Sequence, residues 1–396
     1  MMRCKMWMKF RHKVAFALLR PIFKVYARLR YGYRTKTYRL EKGPYLLLFN
    51  HTTNLDPLMM ALSFKGPVYF VANDDLFNIP VISPIIKYLA SPIPKAKAVR
   101  DISTVKACIR VAREGGKIGI SPEGNRNYSG VLNHIDKSIV KLIKFLKIPV
   151  VLYNIKGGFG VNPRFSRKLR KGKMYGEIGR ILTPEEIREY SEEEIYEILV
   201  KALTVDDFAL NQKYRGKALA ENLESAFYVC PVCEDFRKMD SEGNHFFCRD
   251  CGLEVEYTEE LKFKTEDERF KFERVPEYYR YQEDFIRNAD VMNITFSDSG
   301  IVLKEIVRRF RKEILKGNMS FNHEGLRFWN DKKGVIIKYE DILSFAIVYQ
   351  NTLIINLEKQ TYQVSAGPSF NALKYVHLFN QIRNHLEGVK NGFLGI

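Results

Sequence analysis

The chain has 396 residues, of which 46% are hydrophobic, and its formal net charge is +18 at pH 7. The length favours two or three domains, and the hydrophobic content excludes a largely disordered chain. Residues 1–39 hold twelve Lys or Arg and no Asp or Glu, whereas residues 221–290 hold ten Lys or Arg against nineteen Asp or Glu. The basic regions favour anionic partners, namely anionic lipid, an acidic carrier protein, phosphate or nucleic acid.

The first 39 residues predict a basic, amphipathic segment that lies in a membrane interface. Cations and Pro21 interrupt the apolar run from Val14, which therefore lacks the ~20 uninterrupted apolar residues of a spanning helix. No small-residue cleavage site follows, so a signal peptide is not expected. The alternative is an ordinary basic surface helix. The apolar side chains of the segment are Trp7, Phe10, Phe16, Leu18, Leu19, Phe23 and Tyr26.

From Pro44 to about Leu203, short apolar runs alternate with helical patterns. This alternation predicts an α/β layer with a largely parallel sheet. Thr183, followed by Pro184 and by Glu186, is a predicted N-cap. The predicted strands are YLLLFN, VYFVAN, KIGISPEG and PVVLYNI, and the predicted helices are PLMMALSF, TVKACIRVAREGG, KSIVKLIKFL and LTPEEIREYSEEEIYEILVKAL.

A second β pattern occupies the last hundred residues. Apolar runs separated by turn sequences predict antiparallel strands, and a helical repeat beginning near Pro368 predicts one closing helix. The predicted strands are NMSFN, GLRFW, GVIIKY, ILSFAIVYQ, TLIINLE and TYQVS.

Four of the six cysteines form two close pairs, CPVC and CRDC, with fourteen residues between them. Four thiolates at this spacing predict a tetrahedral structural zinc site, and a closed site of this kind leaves no position for a substrate. An iron or iron–sulfur site is the alternative. The predicted ligands are Cys230, Cys233, Cys248 and Cys251.

The sequence NHTTNLDP places His51 five residues before Asp56, just after a predicted strand. Because Pro57 favours the first helical position, Asp56 is a candidate N-cap. The loop can also fold Asp56 back onto His51, where the carboxylate would orient the imidazole as a general base.

A second candidate group follows the strand KIGI, in the sequence SPEGNRN. It combines the carboxylate of Glu123, a glycine that permits close backbone approach at Gly124, and the guanidinium of Arg126, which can bind a phosphate through two parallel hydrogen bonds. A turn with a surface ion pair is the alternative. Between the two groups, SPIPKAKAVRD supplies Lys95 and Lys97.

The order of these motifs resembles the glycerolipid acyltransferase family, whose best-known members are 1-acylglycerol-3-phosphate acyltransferases. The resemblance covers residues 40–205, through His51-x4-Asp56, the basic segment after SPIP, PEGNR and the strand that begins at Pro149.

The resemblance implies that His51 deprotonates an acceptor hydroxyl while Asp56 orients it, and that the hydroxyl attacks the thioester of acyl-CoA or acyl carrier protein directly. It also implies a set of substrate-binding residues that hold the acceptor's phosphate. Asn125 stands where threonine is common in the family, and the second motif has lysine where arginine is usual. The implied substrate-binding residues are Lys95, Lys97, Glu123, Gly124, Asn125 and Arg126.

These inferences together predict an α/β acyltransferase fold with a mostly parallel sheet, a small Cys4 zinc ribbon, and an antiparallel β domain with a C-terminal helix that resembles PH or GRAM domains. We expect a cytoplasmic protein, peripheral on the inner face of the membrane, that acts on a lysophospholipid. The predicted domains are residues 1–39 for the membrane-associating segment, 40–215 for the acyltransferase domain, 225–258 for the zinc ribbon, 259–290 for a connector and 291–390 for the β domain.

Two other functions compete with acyl transfer. A scaffold that binds lipid without catalysis would share the basic N-terminal segment and the β domain. A nucleic-acid-binding protein would explain the zinc site and the net charge, but the ribbon region is net acidic, whereas phosphate contacts require Lys or Arg. No nucleic-acid partner is therefore expected.

Overall fold

The computed structural model describes residues 6–73, 82–95, 102–236, 238–307 and 310–395. The chain divides into two compact units. The N-terminal unit comprises residues 1–127, 131–161 and 170–212, and the C-terminal unit comprises residues 128–130, 162–169 and 213–396.

The N-terminal unit is an α/β layer, as predicted. Its strands are β1 (Tyr33–Thr35), β2 (Tyr45–Phe49), β3 (Val68–Asn73), β4 (Ile93–Lys95), β5 (Lys117–Ile120), β6 (Val150–Lys156) and β7 (Met174–Leu182). Its helices are α1 (Phe10–Tyr31), α2 (Asp56–Leu62), α3 (Ile82–Leu89), α4 (Ile102–Arg113), α5 (Ser138–Leu146), α6 (Gly158–Val161), α7 (Pro184–Glu189) and α8 (Glu192–Leu203).

These strands form one sheet in the order β1-β7-β6-β2-β5-β3-β4. Every neighbouring pair is parallel except β6 with β7, so the predicted largely parallel sheet is confirmed. The central strand β2 lies between β5 and β6, and all five of its residues are buried. Burial on both faces explains why its sequence, YLLLF, is continuously apolar rather than alternating.

Alternate residues of β2 contribute to two different environments. Leu46 and Leu48 pack in a core with apolar residues of α4, α5 and α8. Phe49, with the opposite parity, lies in the wall of an apolar cavity whose other walls come from α1, α2 and α3. One face of the sheet is therefore a solid core, and the other borders an open space.

The predicted helix from Thr183 to Leu203 is in fact two helices, α7 and α8. Thr183 caps α7 and exchanges hydrogen bonds with Glu186, as predicted. The same pairing recurs at the start of α8 between Ser191 and Glu194. The S-x-x-E spacing of this second capping box was present in the sequence, and its signal was overlooked because the surrounding residues are strong helix formers.

The C-terminal unit begins with short strands around the four cysteines and continues through a helix to a larger sheet. The short strands are β8 (Val229–Cys230), β9 (Asp235–Phe236), β10 (Met239–Glu242), β11 (His245–Cys248), β12 (Glu254–Tyr257) and β13 (Phe263–Lys264), followed by α9 (Val275–Asn288). The larger sheet contains β14 (Phe296–Val307), β15 (Phe310–Asn322), β16 (Gly325–Trp329), β17 (Gly334–Lys338), β18 (Ser344–Val348), β19 (Thr352–Asn356) and β20 (Thr361–Ser365), and α10 (Ala372–Leu386) ends the unit.

The larger sheet is antiparallel throughout, in the order β17-β16-β15-β14-β20-β19-β18, so the predicted antiparallel region with a closing helix is confirmed. The sequence analysis did not identify β14 and shortened β15. Two register shifts in their pairing, with charged residues among the apolar ones, break the alternation of apolar and polar side chains in these strands.

Helix α1 runs for 22 residues and contains Pro21. Within the described ranges, no helix combines the length and the hydropathy that crossing a bilayer requires.

Candidate active site

Two loops at the carboxyl edge of the parallel sheet carry the candidate residues. Strands β2 and β5 are neighbours, with Leu48 opposite Ile120. The loop after β2, residues 50–55, is called the His51 loop below, and the loop after β5 contains PEGNR. Because parallel neighbours end at the same edge, the fold brings together two motifs that are seventy residues apart in sequence.

His51 and Asp56 form the predicted pair. The distance from His51 Nδ1 to Asp56 Oδ2 is 3.0 Å, and the His51 side chain is 20% exposed whereas that of Asp56 is fully buried. Asp56 Oδ2 also accepts the amide protons of Thr52 (2.6 Å) and Thr53 (2.7 Å), and Oδ1 accepts the hydroxyl proton of Thr53 (2.6 Å). Since the carboxylate oxygen accepts, Nδ1 of the imidazole donates, and Nε2 remains available to accept a proton.

The capping role predicted for Asp56 is wrong in detail. Helix α2 begins at Asp56 itself, Leu55 is the N-cap residue, and no side chain caps the helix. The carboxylate turns back to the amides that precede the helix instead of accepting those of its first turn. Hydrogen bonds within the loop replace the capping arrangement, and they leave the carboxylate in contact with the imidazole of His51.

Glu123 is buried directly behind His51. Its Oε1 accepts the His51 amide proton at 2.6 Å, and its Oε2 accepts the Asn133 amide proton at 2.9 Å. Burial raises the pKa of Glu123 to about 8, although these amide hydrogen bonds favour the ionised form. The described contacts of Glu123 thus fix the backbone of the His51 loop.

Arg126 is also buried, and its described hydrogen bonds end on the same loop. Its Nε donates to the Thr52 carbonyl at 2.8 Å, and its Nη1 donates to Asn54 Oδ1 at 3.1 Å. Next to it, Gly124 is exposed with a φ of +71°, a conformation that favours glycine, and the Asn125 carbonyl accepts from Asn133.

The two predicted lysines differ in what can be said of them. Lys95 is the last residue of β4, is exposed and lies on the wall of the cavity described below. Lys97 lies outside the described residues.

The site opens onto an apolar cavity of about 660 Å³. His51, Ser121, Gly124 and Lys95 lie on its wall, and most of the remaining wall is hydrocarbon. The apolar wall residues include Ala15, Phe16, Leu19 and Phe23 of α1, Leu58, Ala61 and Leu62 of α2, Ile85, Ile86 and Leu89 of α3, and Phe49, Phe70 and Val71 of the sheet.

Asn50 was missed as a site residue by the sequence analysis. Its side chain extends the hydrogen bonding between β2 and β6 by one residue. Nδ2 donates to the Ile155 carbonyl (2.9 Å), and Oδ1 accepts the Ile155 amide proton (2.8 Å). This two-way bond fixes the residue immediately before His51 to β6. An asparagine at a strand end was a visible signal, since its amide can imitate a backbone unit.

The four predicted cysteine ligands converge in the C-terminal unit. Their sulfur atoms all lie within 4.8 Å of one another. Cys230 and Cys251 are 3.6 Å apart at Sγ, and Cys233 and Cys248 are 3.9 Å apart. Tetrahedral coordination with Zn–S bonds of about 2.3 Å separates sulfurs by about 3.8 Å, so the four thiols fit one such ion.

Comparison with known proteins supports the resemblance stated from the sequence. Residues 30–156 match the family model described as Acyltransferase. These residues of the chain thus form an acyltransferase domain. The predicted membership is thereby confirmed, and the two motif loops lie inside the matched residues.

The acyltransferase domain has curated relatives. It is 27% identical over 165 residues to "1-acyl-sn-glycerol-3-phosphate acyltransferase" of Borreliella burgdorferi, covering 40% of this chain and 64% of the relative. It is 26% identical over 127 residues to "Probable 1-acyl-sn-glycerol-3-phosphate acyltransferase" of Mycoplasma genitalium, covering 31% of this chain and 47% of the relative. The chain thus spans less than two thirds of the first relative's length and about half of the second's.

A solved structure is also similar to the acyltransferase domain. It is the 1-acyl-sn-glycerophosphate (LPA) acyltransferase PlsC from Thermotoga maritima, at 20% sequence identity and a TM-score of 0.39. The match covers 50% of this chain and 82% of that chain.

We expect the buried Glu123 to make stability depend on pH. Its pKa is about 8 in the folded chain against 4.5 as the ordinary value, so the folded chain holds the proton more tightly. The stability it contributes is complete below pH of about 4.5 and is lost as the pH rises through about 8. Glu123→Gln stays neutral, so the free energy of unfolding of the wild type should fall relative to that of the variant over this range.

Denaturant unfolding at about pH 5 and about pH 8.5 measures this difference. Glu193→Gln, at a side chain that is 61% exposed, is the matched control. If the difference in the free energy of unfolding between wild type and Glu123→Gln is the same at both pH values, Glu123 does not hold a proton more tightly in the folded chain.

Proposed function

We propose that this protein transfers a fatty acyl group from acyl-CoA or acyl carrier protein to the free hydroxyl of 1-acylglycerol-3-phosphate or a related lysolipid. The observation that carries the proposal is the His51–Asp56 pair on the wall of an apolar cavity. A general base beside a space lined by hydrocarbon suits a reaction between a hydroxyl and a long-chain thioester. The names of the two curated relatives support the same substrate class.

The reaction requires one proton acceptor and no acyl-enzyme. Nε2 of His51 takes the proton of the acceptor hydroxyl as its oxygen attacks the thioester carbonyl carbon. The tetrahedral intermediate then collapses, the C–S bond breaks, and the sulfur leaves as a thiol after receiving the proton from His51. Asp56, fixed by three hydrogen bonds from its own loop, stabilises the imidazolium that forms between these steps.

The cavity is assigned to the acyl chain. Its wall is mostly aliphatic and aromatic, and its volume of about 660 Å³ falls within the usual range for ligand sites. Because His51 lies on the same wall, a chain in this space would place its thioester end beside the base. Burial of each methylene is worth about 0.8 kcal/mol, which makes the cavity a source of binding energy for long chains.

The acceptor's phosphate is assigned to the predicted basic residues, with Lys95 at the cavity wall as the most accessible described member. Arg126 carries two described bonds to the His51 loop, so its role includes holding that loop as well as supplying positive charge. Gly124, being exposed and free of a side chain, leaves room for a headgroup to approach the backbone.

A product assay tests the proposed reaction. Wild type should convert lysophosphatidate and an acyl-thioester to phosphatidate with release of one thiol per product, whereas His51→Ala should lose roughly 10²- to 10⁴-fold in rate, as expected for a lost general base. His385→Ala, at an exposed histidine of α10, is the matched control.

The same assay should include several lysolipids and both donor types. Equal rates for wild type and His51→Ala with every acceptor would contradict the proposed reaction. Binding of lysolipid vesicles without any turnover would favour the lipid-binding scaffold instead.

We also propose that α1 binds the surface of an anionic membrane, at the inner face. A stripe along the helix is strongly exposed although it is apolar, and it is distinct from the face that lines the cavity. Cations such as Arg11, Lys13 and Arg28 flank the stripe, as in helices that lie in a lipid interface. The stripe consists of Phe10, Val14, Leu18, Ile22, Val25 and Leu29.

Leu18→Glu should weaken binding to vesicles of phosphatidylglycerol and phosphatidylcholine by at least about tenfold, since burying a leucine is worth about 1.5–3 kcal/mol. Leu18 is 67% exposed, and Ile336→Glu, at a side chain that is 72% exposed in β17, is the matched control. Sedimentation with vesicles measures both. Equal losses in the two variants would show that α1 is not the binding surface.

We further propose that the four cysteines hold one structural zinc ion in a ribbon, and that the C-terminal sheet with α10 is a PH- or GRAM-like domain. The sulfur spacing supports the first proposal. The strand order, in which the last three strands return beside the first, supports the second.

Elemental analysis should find one zinc ion per chain in the wild type and none in Cys248→Ser. Since metal binding contributes directly to folding at such sites, the variant should also unfold at lower temperature. Cys4→Ser is the control, because this cysteine lies outside the two predicted pairs. Full zinc content in Cys248→Ser, or iron in the wild type, would contradict the zinc site.

A further inference from the structure

Asp207 is a buried carboxylate of the N-terminal unit that the proposed reaction does not use. It is 2% exposed and lies beyond the residues that match the acyltransferase family model. Its Oδ1 accepts the Gly157 amide proton at 2.5 Å, and its Oδ2 accepts the Phe159 amide proton at 2.8 Å. Both oxygens thus hold the turn that follows β6.

The turn held by Asp207 lies against the His51 loop. Gly158 is packed so closely there that a Cβ atom added to it would lie 2.0 Å from Thr52 Oγ1 and 3.3 Å from Thr53 Cγ2. The amides of Thr52 and Thr53 are the donors that fix the Asp56 carboxylate. A shift of Gly158 would therefore move Thr52, whose amide donates directly to the Asp56 carboxylate.

We infer that Asp207 is a positioning residue, which holds the Gly157–Phe159 turn against the His51 loop and thereby keeps Asp56 directed at His51. The kinetic part of this inference rests on the proposed acyl transfer, whereas the structural part does not. Asp207 is not among the described residues of the cavity wall, and its hydrogen bonds go to Gly157 and Phe159, so its positioning effect passes through the turn and the loop.

The cost of burying Asp207 supports a specific role. Burial raises the pKa of Asp207 to about 7, with the charge of Asp56 adding to the effect, so the chain retains a carboxyl group that is expensive to ionise. An asparagine has one acceptor oxygen where this turn needs two, because two amides point at the side chain. A carboxyl group at this position supplies an oxygen for each of the two amides.

Asp207→Asn tests the link, with Asp206→Asn as the matched control. Asp206 is adjacent but exposed, and it accepts the amide protons of Phe208 and Ala209. In Asp207→Asn, hydrogen exchange at the Thr52 and Thr53 amides should accelerate, and kcat should fall roughly 10- to 100-fold with a smaller change in KM, because the base is misplaced while the cavity is intact. Asp206→Asn should change neither.

A double variant distinguishes positioning from general loss of stability. If Asp207 acts through Asp56, adding Asp207→Asn to Asp56→Asn should lower kcat by less than about twofold, whereas an independent structural defect would lower it by its full single-variant factor. Unaltered exchange at Thr52 and Thr53, or full additivity, would overturn the inference.

A second variant covers the case in which Asp207→Asn does not fold. Gly158→Ala pushes directly on Thr52, and it should give the same faster exchange and lower kcat, with Gly367→Ala as control because no atom lies within 4 Å of a Cβ added there. If the wild type transfers no acyl group at all, the proposed function fails, and the exchange measurement alone then decides whether Asp207 holds the loop.

Discussion

The site depends on how the carboxylate of Asp56 is held. It is fully buried. It accepts hydrogen bonds from two backbone amides and one hydroxyl of the two threonines of its own loop, and also from the imidazole of His51. A buried carboxylate without such donors would be costly, and one held by long flexible side chains would not fix a ring orientation. Because two of these three donors are backbone amides, the direction in which His51 donates is set largely by the path of the chain.

That path is in turn fixed by three side chains of the N-terminal unit. Asn50 joins the start of the loop to β6, Glu123 accepts the amide of His51, and Arg126 binds the carbonyl of Thr52. Asn50 bonds to the neighbouring strand β6, and Glu123 and Arg126 follow the other neighbour, β5, so the order β6-β2-β5 is what allows these groups to meet. The face of β2 that carries Phe49 borders the cavity, so His51 lies beside an apolar space.

The sequence was informative where one residue type has one strong preference. The apolar runs predicted β2, β3, β5 and β6, and the paired cysteines predicted four sulfurs that converge in space. It was less informative where the outcome depended on tertiary contacts. The sequence did not predict that Glu123 would accept from the amides of His51 and Asn133, or that Arg126 would donate to the Thr52 carbonyl and the Asn54 side chain.

Prediction of the fold was limited in the same way, by features that depend on tertiary contacts. The break between α7 and α8 is local and could have been found from its capping box, whereas β14 could not, because its charged residues carry no clear period. Asp207 gave no signal in sequence at all. Its importance comes from a contact fifty residues away along the chain, made with backbone amides that any sequence would supply.

The tautomer of His51 tests the central claim most directly. Nitrogen-15 NMR of the labelled imidazole, recorded at a pH where the ring is neutral, distinguishes a proton on Nδ1 from one on Nε2. We expect the Nδ1–H form in the wild type, bonded to Asp56, and a mixture of both forms in Asp56→Ala. A wild-type ring protonated at Nε2 would contradict it, because the nitrogen required as the base would then already carry the proton.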